Sequence, residues 1–180
     1  MHLKEKDRAD FADLQVNLKN PCILFKDLQN RKLGYFKNNR CADYILYENI
    51  GKNWYLHIFE LKTKVKKDTW SYIKEQFMGA YQNALAIAGF LNISINTDKV
   101  SLYTVYRYDK INDVANPVAV RYNMYNKHEN DHKDSVDWNF KQITIKFVGE
   151  EKFNHYKIKL DIEKGTGEYY LSSNKSVSIE

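Results

Sequence analysis

Asp43, Glu60 and Lys62 are the residues whose types and spacing offer chemistry. Two carboxylates and an amine suit a divalent cation and a proton transfer. They meet only if two segments pair. Residues 41–47 (Cys-Ala-Asp-Tyr-Ile-Leu-Tyr) and 54–62 (Trp-Tyr-Leu-His-Ile-Phe-Glu-Leu-Lys) both read as strands, and the polar stretch between them contains Gly51. Strands joined by so short a turn form an antiparallel hairpin. Folding it about residues 51 and 52 sets Asp43 opposite Phe59 and Glu60. Glu60 and Lys62 are two apart, so they share a face.

The second strand is apolar on both faces, with Trp54, Leu56 and Ile58 on one and Tyr55, His57, Phe59 and Leu61 on the other. Such a strand is central and covered on both sides. Ionised groups at its end are costly unless paired or metal-bound. The plainer alternative is that Glu60 and Lys62 mark a solvated strand end. Acid-x-Lys also occurs at Glu150-Glu151-Lys152 and Asp131-His132-Lys133, but only the Glu60 copy follows a long apolar strand with an acid folded opposite.

Asp43, then Glu60-Leu61-Lys62, then a long helix resembles the PD-(D/E)xK, or restriction-endonuclease-like, nuclease superfamily. The resemblance covers roughly residues 7–109, with Ala42 where the family's nominal Pro would stand. It implies an α/β fold of the mixed-sheet α+β kind. The core would run αβββαβ, with a C-terminal β-hairpin extension over about residues 110–180 of one domain. It also implies Mg²⁺, with Mn²⁺ substituting, held by Asp43, Glu60 and the Leu61 carbonyl. Lys62 would steer the attacking hydroxide. Gln76, on the following helix, stands where many members carry a glutamine, and Tyr81 falls five residues later. Some members add an acid from the first helix, and Glu5, Asp10 and Asp13 are all available.

The positioning elements follow from periodicity. Residues 68–88 predict the longest helix, with Trp70, Ile73, Phe77, Tyr81, Ala84 and Ala88 as one buried stripe. Asp68 or Thr69 would cap it and Gly89 would end it. Gln76 borders that stripe, and Tyr81 lies on it as a core residue. A short helix is expected over residues 7–19, from Phe11, Leu14 and Leu18, with Pro21 ending it. Residues 22–25 fit a strand or a helix, and residues 33–36 fit the first core strand. Residues 99–108 predict a strand, 122–139 an exposed loop, and 140–148, 154–162 and 167–172 further strands. Gly165-Thr166-Gly167 is expected to turn a hairpin.

Composition narrows the classes. The chain has 180 residues, a formal net charge of +5, and 43% hydrophobic residues. That suits one domain with a substantial core. No apolar run is long enough to span a bilayer. The charged N-terminus lacks the apolar stretch of a signal peptide, and Cys22 and Cys41 match neither a disulfide framework nor a zinc spacing. A cytoplasmic protein with free thiols is therefore expected. There is no G-x-x-x-x-G-K-[ST] loop, so P-loop nucleotide hydrolysis is excluded.

The positive charge is compatible with nucleic acid, probed first through Arg40, Lys64, Lys66 and Lys67 near the site. The same lysines also serve as plain solvated strand ends. His128 and His132, with nearby acids, have i, i+4 spacing, but the segment lacks an apolar face and reads as a loop. The expected function is a metal-dependent nuclease acting on DNA, as a homodimer or within a larger complex, with no membrane partner. The alternative is a non-catalytic nucleic-acid-binding or protein-interaction α+β protein of a defence or counter-defence system.

Overall fold

The computed structural model describes residues 1–7, 10–26, 28, 40–111, 137–146 and 149–171. Its nine described strands form two mixed sheets, with one long helix, in a mixed α+β arrangement. The strands are β1 (His2–Asp7), β2 (Asp10–Asn17), β3 (Cys22–Lys26), β4 (Tyr44–Ile50), β5 (Asn53–Val65), β6 (Val100–Asp109), β7 (Gln142–Lys146), β8 (Glu150–Lys159) and β9 (Thr166–Tyr170). The helix α1 spans Lys67–Phe90. The larger sheet has the order β3-β4-β5-β6-β8-β7 and the smaller one β1-β2-β9.

The β4–β5 hairpin forms as the sequence predicts, in a register that pairs Tyr44 with Phe59 and Ile50 with Asn53. Gly51 takes φ +67 in the turn, a conformation that costs glycine nothing. The alternation of β5 divides the core. Leu56 and Ile58 pack with Trp70, Ile73 and Phe77 of α1. Phe59 and Leu61 pack with Leu3, Leu14 and Val16 of the smaller sheet. β5 is thus central and covered on both sides. The whole predicted stripe of α1 is buried, and each large side chain so buried contributes on the order of 2 kcal/mol.

Several expectations fail. Among the described residues, no helix covers 7–19. Residues 10–17 are a strand, because Ala12, Leu14 and Val16 alternate inward while Phe11 is 46% exposed. Their period is two, and the helical spacing of Phe11, Leu14 and Leu18 is incidental. Pro21 therefore ends no helix; its carbonyl accepts the Asn49 amide at 2.9 Å.

The helix α1 has Lys66 as N-cap with no side-chain cap, and Asp68 lies in its first turn, where a negative charge suits the helix dipole. Gly89 stays inside the helix, and Asn92 takes the left-handed position beyond the end at φ +54. Of the expected C-terminal β extension, β7 and β8 pair as an antiparallel hairpin, and β8 also lies parallel to β6 inside the main sheet. The turn falls at residues 162–164, with Thr166 and Gly167 already in β9, and it makes no hairpin: β8 joins the larger sheet, and β9 pairs in parallel with β2. The strand expected at residues 33–36, and residues 112–136 of the expected loop with His128 and His132, lie outside the described residues. Among those described, no helix is long and apolar enough to cross a membrane.

Candidate active site

The β4–β5 ladder stops at Tyr44, and Asp43 stands one residue beyond it, facing Glu60. Side chains take over where backbone pairing ends. The Asp43 amide donates to Glu60 Oε2 at 3.2 Å, and the Leu61 amide donates to Asp43 Oδ2 at 2.8 Å. Each carboxylate is thereby fixed by the other residue's strand. The chain before Asp43 is held by α1. The Ala42 amide donates to the Gln76 carbonyl at 3.1 Å. Gly79 permits this approach, because a Cβ there would lie 1.7 Å from the Arg40 carbonyl oxygen.

Lys62 shares the face of Glu60, and its Nζ contacts Glu60 Oε1. The same Nζ lies 3.6 Å from Glu5 Oε1. Glu5 belongs to β1 of the smaller sheet, which Tyr44 anchors beside the site. The Tyr44 hydroxyl accepts from the Lys4 amide and donates to the Lys4 carbonyl, both at 2.9 Å. Of the three acids available near the N-terminus, Glu5 is the one brought to Lys62, and it comes from a strand rather than a helix. Asp13 pairs instead with Lys4 and His2; the Asp10 side chain lies outside the described residues.

Burial dominates the electrostatics. Glu60 is fully buried. Desolvation, with Asp43 adding to it, pushes its carboxyl pKa up to about 8 despite the neighbouring lysine. Burial opposes the Lys62 charge too, but the surrounding carboxylates Glu60, Glu5 and Asp43 outweigh it and hold the ammonium pKa above its ordinary value. Burial, with Glu60 second, pushes the Cys41 thiol up to about 12, so it stays protonated and unreactive.

Gln76 is buried beside this cluster. Its Nε2 donates to the Cys41 carbonyl at 3.4 Å, and its Oε1 is buried with no hydrogen-bond partner among the described residues. Tyr81 is core, packed edge-on against Phe153 at 4.9 Å. Arg40 pairs with Glu75 and lies 4.7 Å over the Tyr72 ring. Lys64, Lys66 and Lys67 are exposed where β5 passes into α1.

Among the described residues no cluster of three or more His, Cys, Asp or Glu side chains is arranged to hold a metal ion. The site offers two carboxylates and a backbone carbonyl. A strand residue presents its N–H and C=O to the same edge, so the Leu61 carbonyl leaves β5 toward Asp43, as its amide does. An all-oxygen donor set of this size suits Mg²⁺, which keeps several of its waters. The raised proton affinity of Glu60 and the orphaned Gln76 oxygen both favour a cation or ordered water there.

A second buried network lies on the other face of β5. Glu48 accepts from Asn20 at 2.8 Å and pairs with His57 Nε2 at 3.2 Å, and His57 Nδ1 lies 3.0 Å from the Tyr103 hydroxyl. Its only signal along the chain is a histidine in an apolar strand. Compared with known proteins, the chain matches no family model, no curated protein and no solved structure.

Proposed function

We propose that this chain is a metal-dependent nuclease of the PD-(D/E)xK kind, hydrolysing phosphodiester bonds, with DNA as the first substrate to try. One observation carries the reading: Asp43 and Glu60 face each other across the end of a central hairpin, with Lys62 on the same face as Glu60. The restriction-endonuclease-like resemblance points to the same residues. The chain departs from that pattern at its start, where a strand replaces the opening helix.

In this reading Asp43, Glu60 and the Leu61 carbonyl would hold Mg²⁺, which would supply an acidified water and charge neutralisation at the scissile phosphate. Glu60 must give up its proton to serve as ligand, so loading is favoured at higher pH. Lys62 keeps its proton and lends positive charge where negative charge develops. Glu5 shares that lysine and restrains where its ammonium sits. Gln76 borders the cluster through Cys41, with an acceptor oxygen to spare.

The test is cleavage of single-stranded, duplex and branched DNA and of RNA in Mg²⁺, Mn²⁺ and EDTA. Wild type is compared with Glu60→Gln and Asp43→Asn. Metal-dependent cutting lost in both variants is expected. Cutting that survives both substitutions sinks the assignment. No cutting, with no Mg²⁺ binding by calorimetry, leaves the second reading, a non-cutting binding protein whose carboxylates serve only to close the hairpin end.

A further inference from the structure

The strand β8, expected in the C-terminal extension, changes what stands beside the site by joining the main sheet. β5, β6 and β8 run parallel, so their carboxyl ends lie together. The register places Glu60 beside Thr104 and Thr104 beside Lys157. The next row is Lys62, Tyr106 and Lys159. Residues opposite one another in a sheet share a face, so Lys157 and Lys159 lie on the face that carries Glu60 and Lys62. Lys157 lies 4.8 Å from the centre of the Trp138 ring, and Trp138 packs in the cluster formed with α1. Two strand spacings separate the backbones of Lys62 and Lys159, about 10 Å.

Charge at this end is unequally spent. Lys157 and Lys159 are exposed and make no ion pair among the described residues, and the same holds for Lys64, Lys66 and Lys67. The nearby acids are engaged within the fold. Asp109 accepts from Trp138 Nε1 at 2.9 Å and from the Ile111 amide at 3.0 Å; burial works against the Lys157 charge, and Asp109 supports it without forming an ion pair among the described residues. Asp137 pairs with Lys74. Asp161 accepts two amides of its own turn. On the β4 side the picture reverses, since Arg40 is already matched by Glu75. Ligands of parallel strands bind outside their carboxyl ends, and exposed lysines without an ion pair there attract a polyanion.

We propose that Lys157 and Lys159 hold the phosphate backbone of a bound nucleic acid as it leaves the Asp43–Glu60 site, across the ends of β6 and β8 and away from Arg40. This rests on the reading of the site as one that takes nucleic acid. Each lysine contacts a phosphate as a point charge, so binding is insensitive to sequence and sensitive to salt. Trp138, beneath Lys157, fixes the start of that lane.

The experiment is fluorescence anisotropy of labelled single-stranded DNA, duplex DNA and RNA, in EDTA and in Ca²⁺, across a salt series. It compares the full wild-type chain with the double variant Lys157→Gln, Lys159→Gln. A control carries Lys19→Gln and Lys52→Gln, of which Lys52 lies in the β4–β5 turn at the opposite end of β5. The expected result is about tenfold weaker binding by the first variant. Its slope of log affinity against log salt should fall by about 1.4 on a single strand or 1.8 on a duplex, the value for two lost phosphate contacts. The control should match wild type.

Unchanged affinity and slope in the first variant, an equal loss in the control, or no binding by wild type would each overturn the proposal. Cleavage assayed alongside keeps the two readings apart. Wild-type cutting with lysine-independent binding removes the lane and leaves the nuclease. Lysine-dependent binding without cutting in Mg²⁺ or Mn²⁺ keeps the lane and removes the nuclease.

Discussion

Replacing Glu60 by Gln should change how stability depends on pH more than it changes stability at any one pH. An unfolded glutamate titrates near 4.5, and burial lifts the folded value to about 8. Between those values the folded chain holds one proton more than the unfolded chain. Stability therefore falls as pH rises, by about 1.4 kcal/mol per pH unit where the difference is complete. From about pH 5.5 to about pH 7.5 the wild type should lose about 2 to 3 kcal/mol relative to Glu60→Gln, and about 5 kcal/mol once Glu60 is fully charged. Lys62 stays protonated throughout this range, so its lost partner in the variant adds a constant offset and no slope. Urea unfolding of both proteins in EDTA, at several pH values, gives the difference directly. Parallel pH curves would refute the argument, because they would mean that Glu60 ionises in the fold as readily as in water. Adding Mg²⁺ above about pH 8 should restore the lost stability to wild type and not to the variant.

The remaining predictions concern the frame. Gly79→Ala should destabilise by about 2 kcal/mol or more in urea melts, although alanine favours a helix by about 1 kcal/mol, because its Cβ meets the Arg40 carbonyl oxygen; a stabilised variant would contradict the close approach. Glu48→Ala should cost about 2 kcal/mol at neutral pH, as expected when buried donors on Asn20 and His57 lose their acceptor. Burial works against the Glu48 charge, but His57 and Asn20 hold its pKa below the usual value. Its contribution is therefore present above about pH 4.5 and fades as pH falls through the folded pKa, and an acid titration of wild type against variant should converge. Val16→Ala should cost about 2 kcal/mol while Phe11→Ser stays within about 1 kcal/mol; a helix over residues 7–19 would make Phe11 the costlier site.

What the sequence made legible was local. Residues 41–62 carry their own turn and their own alternation, so the hairpin and the Asp43–Glu60 meeting follow from counting along one stretch. The stripe of α1, from Trp70 to Ala88, repeats over about five turns and needs no partner to be recognised. Residues 10–17 fail that test because two periodicities overlap. Phe11, Leu14 and Leu18 suit a helix, Ala12, Leu14 and Val16 suit a strand, and only pairing decides. That pairing is half local and half distant: β2 lies antiparallel to β1, with Asp7 opposite Asp10, and parallel to β9, with Asp13 beside Thr166. A short window can reach the first, but parallel ladders carry no turn to announce them.

The same limit hid the surroundings of the site while showing its centre. Asp43, Glu60 and Lys62 sit within one hairpin, but the groups that set their properties arrive from elsewhere. Glu5 comes from the smaller sheet and Gln76 from the crossover helix. The lysines of β8 come from a strand that reads, by itself, as an ordinary half-exposed alternation of Lys157 and Lys159 with Ile158 and Leu160. A carboxylate becomes a strong base only when the fold removes its water, and here two layers close on β5 from opposite faces. The raised proton affinity of Glu60 is thus a property of the packing of β1, α1 and β5 together. Substitutions that loosen either layer, such as Gly79→Ala on α1, should lower the Glu60 pKa toward its ordinary value even though they touch neither carboxylate.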